Sequence, residues 1–370
     1  MAVSICQHCG HPLETPESMA GSQSLCRSCG GTTTPAPSLP TGPRGPKIAI
    51  SPILEARGLS PADVGDAARQ VIRNVERVIV GKPDQVVLAV ATLMAEGHLL
   101  IQDIPGVAKT MLARAVAQSV GGSFKRIQCT PDLLPSDVLG EPFTGPETGG
   151  PDYRFGPLFA QFVLVDEINR ASPRTQAAML EAMGEGTISV ERVTYRMEHP
   201  FMLIATQNPI EQEGTFSLPE AQLDRFLVRM SLGYPSLQDE KDMCQRFQLG
   251  HPIEALGHVT TPDVILKCQE AVRRVRIDSA VYDYVLQRVR QTREHPGVLL
   301  GASPRGSLGL VRLSQAMAAI RGEDQVSIPQ VDALVEVVLG HRLIVRPERK
   351  HRWHEGADVI RDILAGKKPD

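Results

Sequence analysis

The sequence predicts an α/β protein: a parallel sheet flanked by helices, followed by an all-α domain and preceded by a small metal-binding piece. Three observations carry this expectation. Residues 161–165 (QFVLV) and 201–205 (FMLIA) are continuous apolar runs, the mark of strands buried on both faces of a sheet. A further apolar run, 98–101, leads through a Pro-Gly turn into a helical pattern, as a βα unit does. From Ser236 to about Val345 strand-like runs give way to helical periodicity.

Composition narrows the class. The 370 residues suffice for two or three domains, and 42% apolar with 22% charged residues is the balance of a soluble globular chain. A formal charge of −3 offers no global attraction to nucleic acid, so a nucleic-acid partner is not expected. There is no apolar run of the length that spans a membrane and no secretion leader, which makes the cytoplasm the expected compartment. The organisation expected is 1–30 small N-terminal piece, 31–52 linker, 53–234 α/β core, 235–345 helical lid and 346–370 C-terminal tail.

Cys6-Gln-His-Cys9 and Cys26-Arg-Ser-Cys29 have the spacing of a closed four-thiolate zinc site. Four protein ligands leave no position for water, so a structural Zn²⁺ is expected, with His8 and His11 as alternative ligands. A piece this small lacks a core of its own, and metal binding must supply its folding energy. Residues 31–52 carry six prolines among Gly, Thr and Ser and read as an extended tether.

Ser60-Pro61 is a helix cap followed by proline at the first helical position, and Val64, Ala68, Val71, Ile72 and Val75 follow at helical spacing. A second helix begins at Pro83, and Val80-Gly81-Lys82 between them is a candidate adenine-binding turn. The strand at 98–101 then enters Asp103-Ile-Pro105-Gly106-Val107-Ala108-Lys109-Thr110-Met111. A turn of this kind before a helix directs backbone N–H groups at polyphosphate, with Lys109 reaching the β- and γ-phosphates and Thr110 offering its hydroxyl to Mg²⁺. It departs from G-x-x-x-x-G-K-[ST] at two places, Asp103 and Ala108, and keeps only Gly106.

Downstream, residues 137–155 and 186–197 read as two inserted hairpins. The strand at 161–165 delivers Asp166 and Glu167 at its C-terminal end, the first to hold Mg²⁺ and the second to orient or deprotonate water. The strand at 201–205 ends near Asn208, an amide positioned to hold water beside those acids. Arg225 lies near the edge of the core. Arg305 sits in a helix first turn, where a cation opposes the dipole and so has another job.

In this order the motifs resemble the MoxR family of AAA+ ATPases. The residues that carry the resemblance are 103–110, Pro135-Ser-Asp-Val-Leu-Gly140, Arg154-Phe-Gly-Pro-Leu-Phe159, 165–171, Ala205-Thr-Gln-Asn-Pro209, 218–226 and Gly301-Ala-Ser-Pro-Arg305. The resemblance implies that Lys109 and Thr110 are the Walker A pair, Asp166 and Glu167 Walker B, Asn208 sensor 1, Arg225 the arginine finger and Arg305 sensor 2. Arg170 is a second candidate for contact across a subunit boundary. It also implies ATP and Mg²⁺ as cofactors, a hexameric homo-oligomeric ring, client proteins that are remodelled, and a von Willebrand factor A domain partner. The competing readings are a transcription-activating ATPase, from Phe143-Thr-Gly145, a DNA motor with similar hairpins, and a nucleotide-switched adaptor acting through its zinc ribbon. Intact Asp166, Glu167, Asn208 and Arg225 weigh against a pure switch.

Overall fold

The computed structural model describes residues 2–5, 12–15, 24–25, 32–33, 59–144, 151–190, 193–209, 215–248 and 250–367. At the N-terminus β1 (Ala2–Ile5) pairs antiparallel with β2 (Pro12–Thr15), and β3 (Ser24–Leu25) with β4 (Thr32–Thr33). Cys6, Cys9, Cys26 and Cys29, the expected zinc ligands, lie outside the described residues, as does most of the linker.

α1 (Pro61–Glu76) starts at the Ser60 cap, whose hydroxyl accepts from the Asp63 N–H while the Asp63 carboxylate accepts from the Ser60 N–H. This reciprocal pair satisfies donors that a helix start otherwise leaves open. α2 (Pro83–Met94) follows, then β5 (Leu99–Gln102), α3 (Lys109–Val120), β6 (Phe124–Gln128) and α4 (Pro135–Leu139). β7 (Gly140–Thr144) and β8 (Pro151–Phe155) form the first predicted hairpin. After β9 (Phe162–Asp166) and α5 (Pro173–Glu185), β10 (Thr187–Val190) and β11 (Val193–Arg196) form the second. β12 (Met202–Gln207), α6 (Glu220–Leu223) and β13 (Val228–Met230) complete the core.

Five strands make one parallel sheet in the order β13-β5-β12-β9-β6. Side chains alternate across it, as the strand period of two requires. Leu99 and Ile101 enter a core shared with α1, α2 and α3, whereas Leu100, Val163 and Val165 enter a separate core with α5 and both hairpins. Three neighbouring strands, β5, β12 and β9, thus end side by side at one edge, where binding sites of such sheets lie.

The second domain contains α7 (Leu237–Gln248), α8 (Pro262–Val272), α9 (Ser279–Glu294), β14 (Val298–Leu300), α10 (Pro304–Ile320), α11 (Ile328–Leu339), β15 (Ile344–Val345) and α12 (Gly356–Leu364). Two expectations need correction. The domain is not free of strands, since β14 pairs antiparallel with β15. Nor does 346–367 form a tail apart from the domain. Trp353 is 2% exposed, stacks edge-on against His295, and donates from Nε1 to Asp362 at 2.8 Å, while α12 buries Ala357, Val359 and Ile360. One large indole supplies enough apolar area to anchor a segment that reads as polar around it. Cys129 and Cys268 are buried, and Cys244 is exposed.

Candidate active site

Two left-handed residues shape the turn between β5 and α3: Gly106 at φ +84° and Ala108 at φ 64°. Glycine adopts this region freely, but alanine costs roughly 1–2 kcal/mol there, a strain that functional turns hold. Ala108 caps α3 without a side-chain acceptor, and the first turn contains no acid. The N–H groups at this helix start therefore have no side-chain cap and, with the helix dipole, form an anion-attracting end. Lys109 Nζ donates to the Asp103 carbonyl at 2.7 Å.

This turn walls a cavity of about 370 Å³ with Pro105, Gly106, Ala108, Lys109, Thr110 and Met111. Facing them are Arg126 from β6, Asp166 and Glu167 from the end of β9, and Asn208 just past β12. Parallel register brings them together, with Gln207 opposite Gln102 and Ala205 opposite Val165. Asp103 and Val107, expected with them, are not in the lining. Val107 packs on the first core. The Asp103 carboxylate accepts from Ile104 N–H at 2.8 Å, Ser231 Oγ at 2.9 Å, Leu232 N–H at 2.6 Å and Gly233 N–H at 2.7 Å. Burial pushes this carboxyl up, but the hydrogen bonds, that from Gly233 foremost, outweigh it and hold it below its ordinary value. Asp103 thus clamps the turn to the segment after β13.

The paired acids are held by different partners. Thr206 Oγ1 donates to Asp166 Oδ1 at 2.6 Å and accepts the Glu167 N–H at 2.8 Å. Arg126 donates to Asp166 Oδ2 from Nε at 3.1 Å and from Nη2 at 2.6 Å. Glu167, itself left-handed at φ 55°, accepts on Oε2 from Gln128 at 3.0 Å and from Arg170 at 3.1 Å. Burial pushes the adjacent Cys129 thiol up to about 12, with the charges of Asp166 and Glu167 adding to it, so it stays protonated at neutral pH.

Arg225 and Arg305 lie elsewhere. Arg225 Nη1 donates to the Leu180 carbonyl of α5 at 3.0 Å, and a Cβ on Gly184 would come within 2.3 Å of that nitrogen. Arg305 is exposed at the start of α10, whose cap Ser303 donates from Oγ to Asp224 Oδ2 at 2.8 Å. Neither arginine lines the cavity.

The roles of Arg126, Gln128 and Thr206 escaped sequence reading. β6 carries a legible signal, because three of its five residues, Lys125, Arg126 and Gln128, are exposed polar groups in a strand of a parallel sheet. The cavity suits Mg·ATP chemically: an uncapped helix start and Lys109 for the phosphates, with the oxygens of Thr110 and Asp166 for a hard divalent ion.

Comparison with known proteins agrees with this geometry. Residues 98–228 match the ATPase family associated with various cellular activities (AAA), and 290–363 match the AAA lid domain. Chaperone MoxR1 of Mycobacterium tuberculosis is 40% identical over 299 residues, 78% of each chain. The chain belongs to the MoxR family of AAA+ ATPases. YeaC of Bacillus subtilis is 44% identical over 299 residues, 81% of this chain and 93% of its own. A crystal structure of a proposed ATPase from Cytophaga hutchinsonii superposes with a TM-score of 0.77 at 30% identity, covering 84% of this chain and 96% of that one. This MoxR-family chain is an ATPase that uses ATP and Mg²⁺. No helix among the described residues is long and apolar enough to cross a membrane.

Proposed function

We propose that this MoxR-family ATPase hydrolyses ATP at the boundaries of a homo-oligomeric ring, six subunits in the simplest case, and uses the cycle to remodel client proteins in the cytoplasm. The observation that carries this reading is the separation of charges. Lys109, Asp166 and Glu167 share one cavity, whereas Arg225, seated on α5, and Arg305, at the start of α10, both lie outside it. A second copy docked head-to-tail supplies the missing cations.

Lys109 and the backbone of the turn bind the phosphates, and Thr110 and Asp166 would hold Mg²⁺, which would supply neutralising charge at the phosphates. Glu167 accepts a proton from the attacking water, and Asn208 orients that water. Arg225 of the adjoining subunit stabilises developing negative charge, a contribution worth roughly 10³–10⁵ in rate where such arginines have been measured. Arg305 assists from the same side. MoxR1 carries the name chaperone, which supports the client-remodelling reading. A von Willebrand factor A domain partner fits the same activity. The four cysteines form a structural Zn²⁺ site, supported by their spacing and by the two short antiparallel hairpins whose strands flank each Cys-x-x-Cys pair in sequence.

The deciding measurement is ATP hydrolysis per subunit as a function of protein concentration, with Arg225→Ala alongside. The expected specific rate rises with concentration and collapses in the variant. A flat, negligible rate despite ATP binding returns the protein to the adaptor reading.

A further inference from the structure

We infer that Arg126 is an internal counter-cation of the phosphate cavity, which holds Asp166 Oδ2 in the position a divalent ion takes and transfers to the phosphates when the nucleotide is bound. The inference rests on the reading of this cavity as the Mg·ATP site. Asp166 has two carboxylate oxygens. Oδ1 is fixed by the Thr206 hydroxyl at 2.6 Å in the buried sheet, so Oδ2 is the oxygen left to a metal. That oxygen receives two N–H groups of Arg126, at 3.1 and 2.6 Å.

Two cations cannot share one oxygen without strong mutual repulsion in a partly desolvated site. Arg126 and a divalent ion therefore compete for Asp166. The arginine can yield, because its side chain is 48% exposed while that of Asp166 is 11% exposed. An ion pair with so exposed a partner contributes little to folding, so the contact is not needed to hold the sheet together. Arg126 also has somewhere to go. It lines the same cavity as Lys109 and Thr110, and its planar fork matches phosphate oxygens in a two-point contact. Gln128, which accepts from Arg126 Nη2 at 2.5 Å and donates to Glu167, keeps the guanidinium at the cavity edge through the change.

In the absence of metal Arg126 supplies part of the positive charge that the nucleotide needs, and in its presence Arg126 opposes metal entry at Asp166. Both effects reduce the dependence of nucleotide binding on Mg²⁺. The test is the affinity of the full chain for a fluorescent ATP analogue, measured in EDTA and in Mg²⁺, for the wild type, Arg126→Gln and Arg126→Lys. The ratio of the Kd in EDTA to the Kd in Mg²⁺ should rise about fivefold or more in Arg126→Gln. Arg126→Lys keeps the charge but loses the two-nitrogen grip, and its ratio should fall between the other two. A ratio in Arg126→Gln equal to or below that of the wild type overturns the inference. Should that variant fail to fold, an unchanged ratio in Arg126→Lys overturns it as well. A wild-type protein that binds no analogue in Mg²⁺ overturns instead the assignment of the cavity.

Discussion

Asp224 and Arg342 form an ion pair of 3.0 Å where the helical domain meets the sheet domain, and the arginine side chain is only 3% exposed. The same guanidinium donates to the carbonyls of Phe226, at 2.6 Å, and Leu227, at 3.3 Å. Burial pushes Arg342 down to about 10, opposed by the Asp224 charge, so the group is a cation at neutral pH.

Removal of one partner from such a pair leaves an uncompensated buried charge. Asp224→Ala should destabilise the protein by about 3–5 kcal/mol. Denaturant unfolding of the two proteins side by side measures the difference. A loss below about 1 kcal/mol, the level of an exposed pair, contradicts a structural junction at this point.

Thr206 bridges the two acids of the active site through one hydroxyl. Thr206→Val preserves shape but removes both hydrogen bonds, so ATP hydrolysis should drop by roughly 10–100-fold, the usual cost of losing a group that orients a ligand. Nucleotide affinity in EDTA, where Asp166 has no metal to hold, should change little. Unaltered turnover in the valine variant shows that the backbone alone fixes Asp166 and Glu167.

Glu167→Gln retains size and one hydrogen-bonding oxygen but cannot accept a proton. The expected protein binds ATP with near wild-type affinity and hydrolyses it at least about 100-fold more slowly, the range of general-base catalysis. Isothermal binding and a phosphate-release assay on the same sample separate the two. Normal turnover removes Glu167 from the mechanism.

Acid stability should carry the mark of two buried histidines. His98 Nδ1 accepts from Leu203 N–H at 3.1 Å and its Nε2 faces the Met183 carbonyl at 3.2 Å, so the neutral ring is the one that fits. Burial pushes His98 down from 6.5 to about 4, and burial, with the Arg342 charge next, holds His341 well below its usual range. The unfolded chain takes up these protons near 6.5 and the folded chain does not. Stability is therefore complete above about pH 6.5 and declines as pH falls toward 4, by about 1.4 kcal/mol per pH unit for each histidine. Denaturant midpoints between pH 7 and pH 4.5 should show this slope, and His98→Asn should reduce it. An equally steep decline in that variant assigns the effect to other groups.

Local features were legible in the sequence because their causes are local. The Ser60 cap, the apolar strands and the Lys109–Thr110 turn each depend on residues within a few positions of one another. Asp103 shows where that ends. It reads as a substitute for a phosphate-loop glycine, yet its partners Ser231 and Gly233 stand 128 and 130 positions away, beyond any pattern in the turn itself. Arg126 was hidden for a similar reason, since its partner Asp166 is met only through the β6–β9 pairing. Trp353 lies in the Arg- and His-dense C-terminal stretch and Arg342 at the end of the helical one, and only the packing of the helical domain reveals both as interior residues.

Asp224 and Arg225 are adjacent in the chain but answer to opposite layers. Asp224 is gripped by Ser303 and Arg342 of the helical domain, while Arg225 is seated on α5, in the layer that carries the hairpins. A single peptide bond therefore spans two bodies that flank the sheet. A rotation of the helical domain that left α5 in place would load this one peptide bond rather than the whole sheet. In mechanical terms the junction is a short hinge, with one of two neighbouring residues anchored to each body.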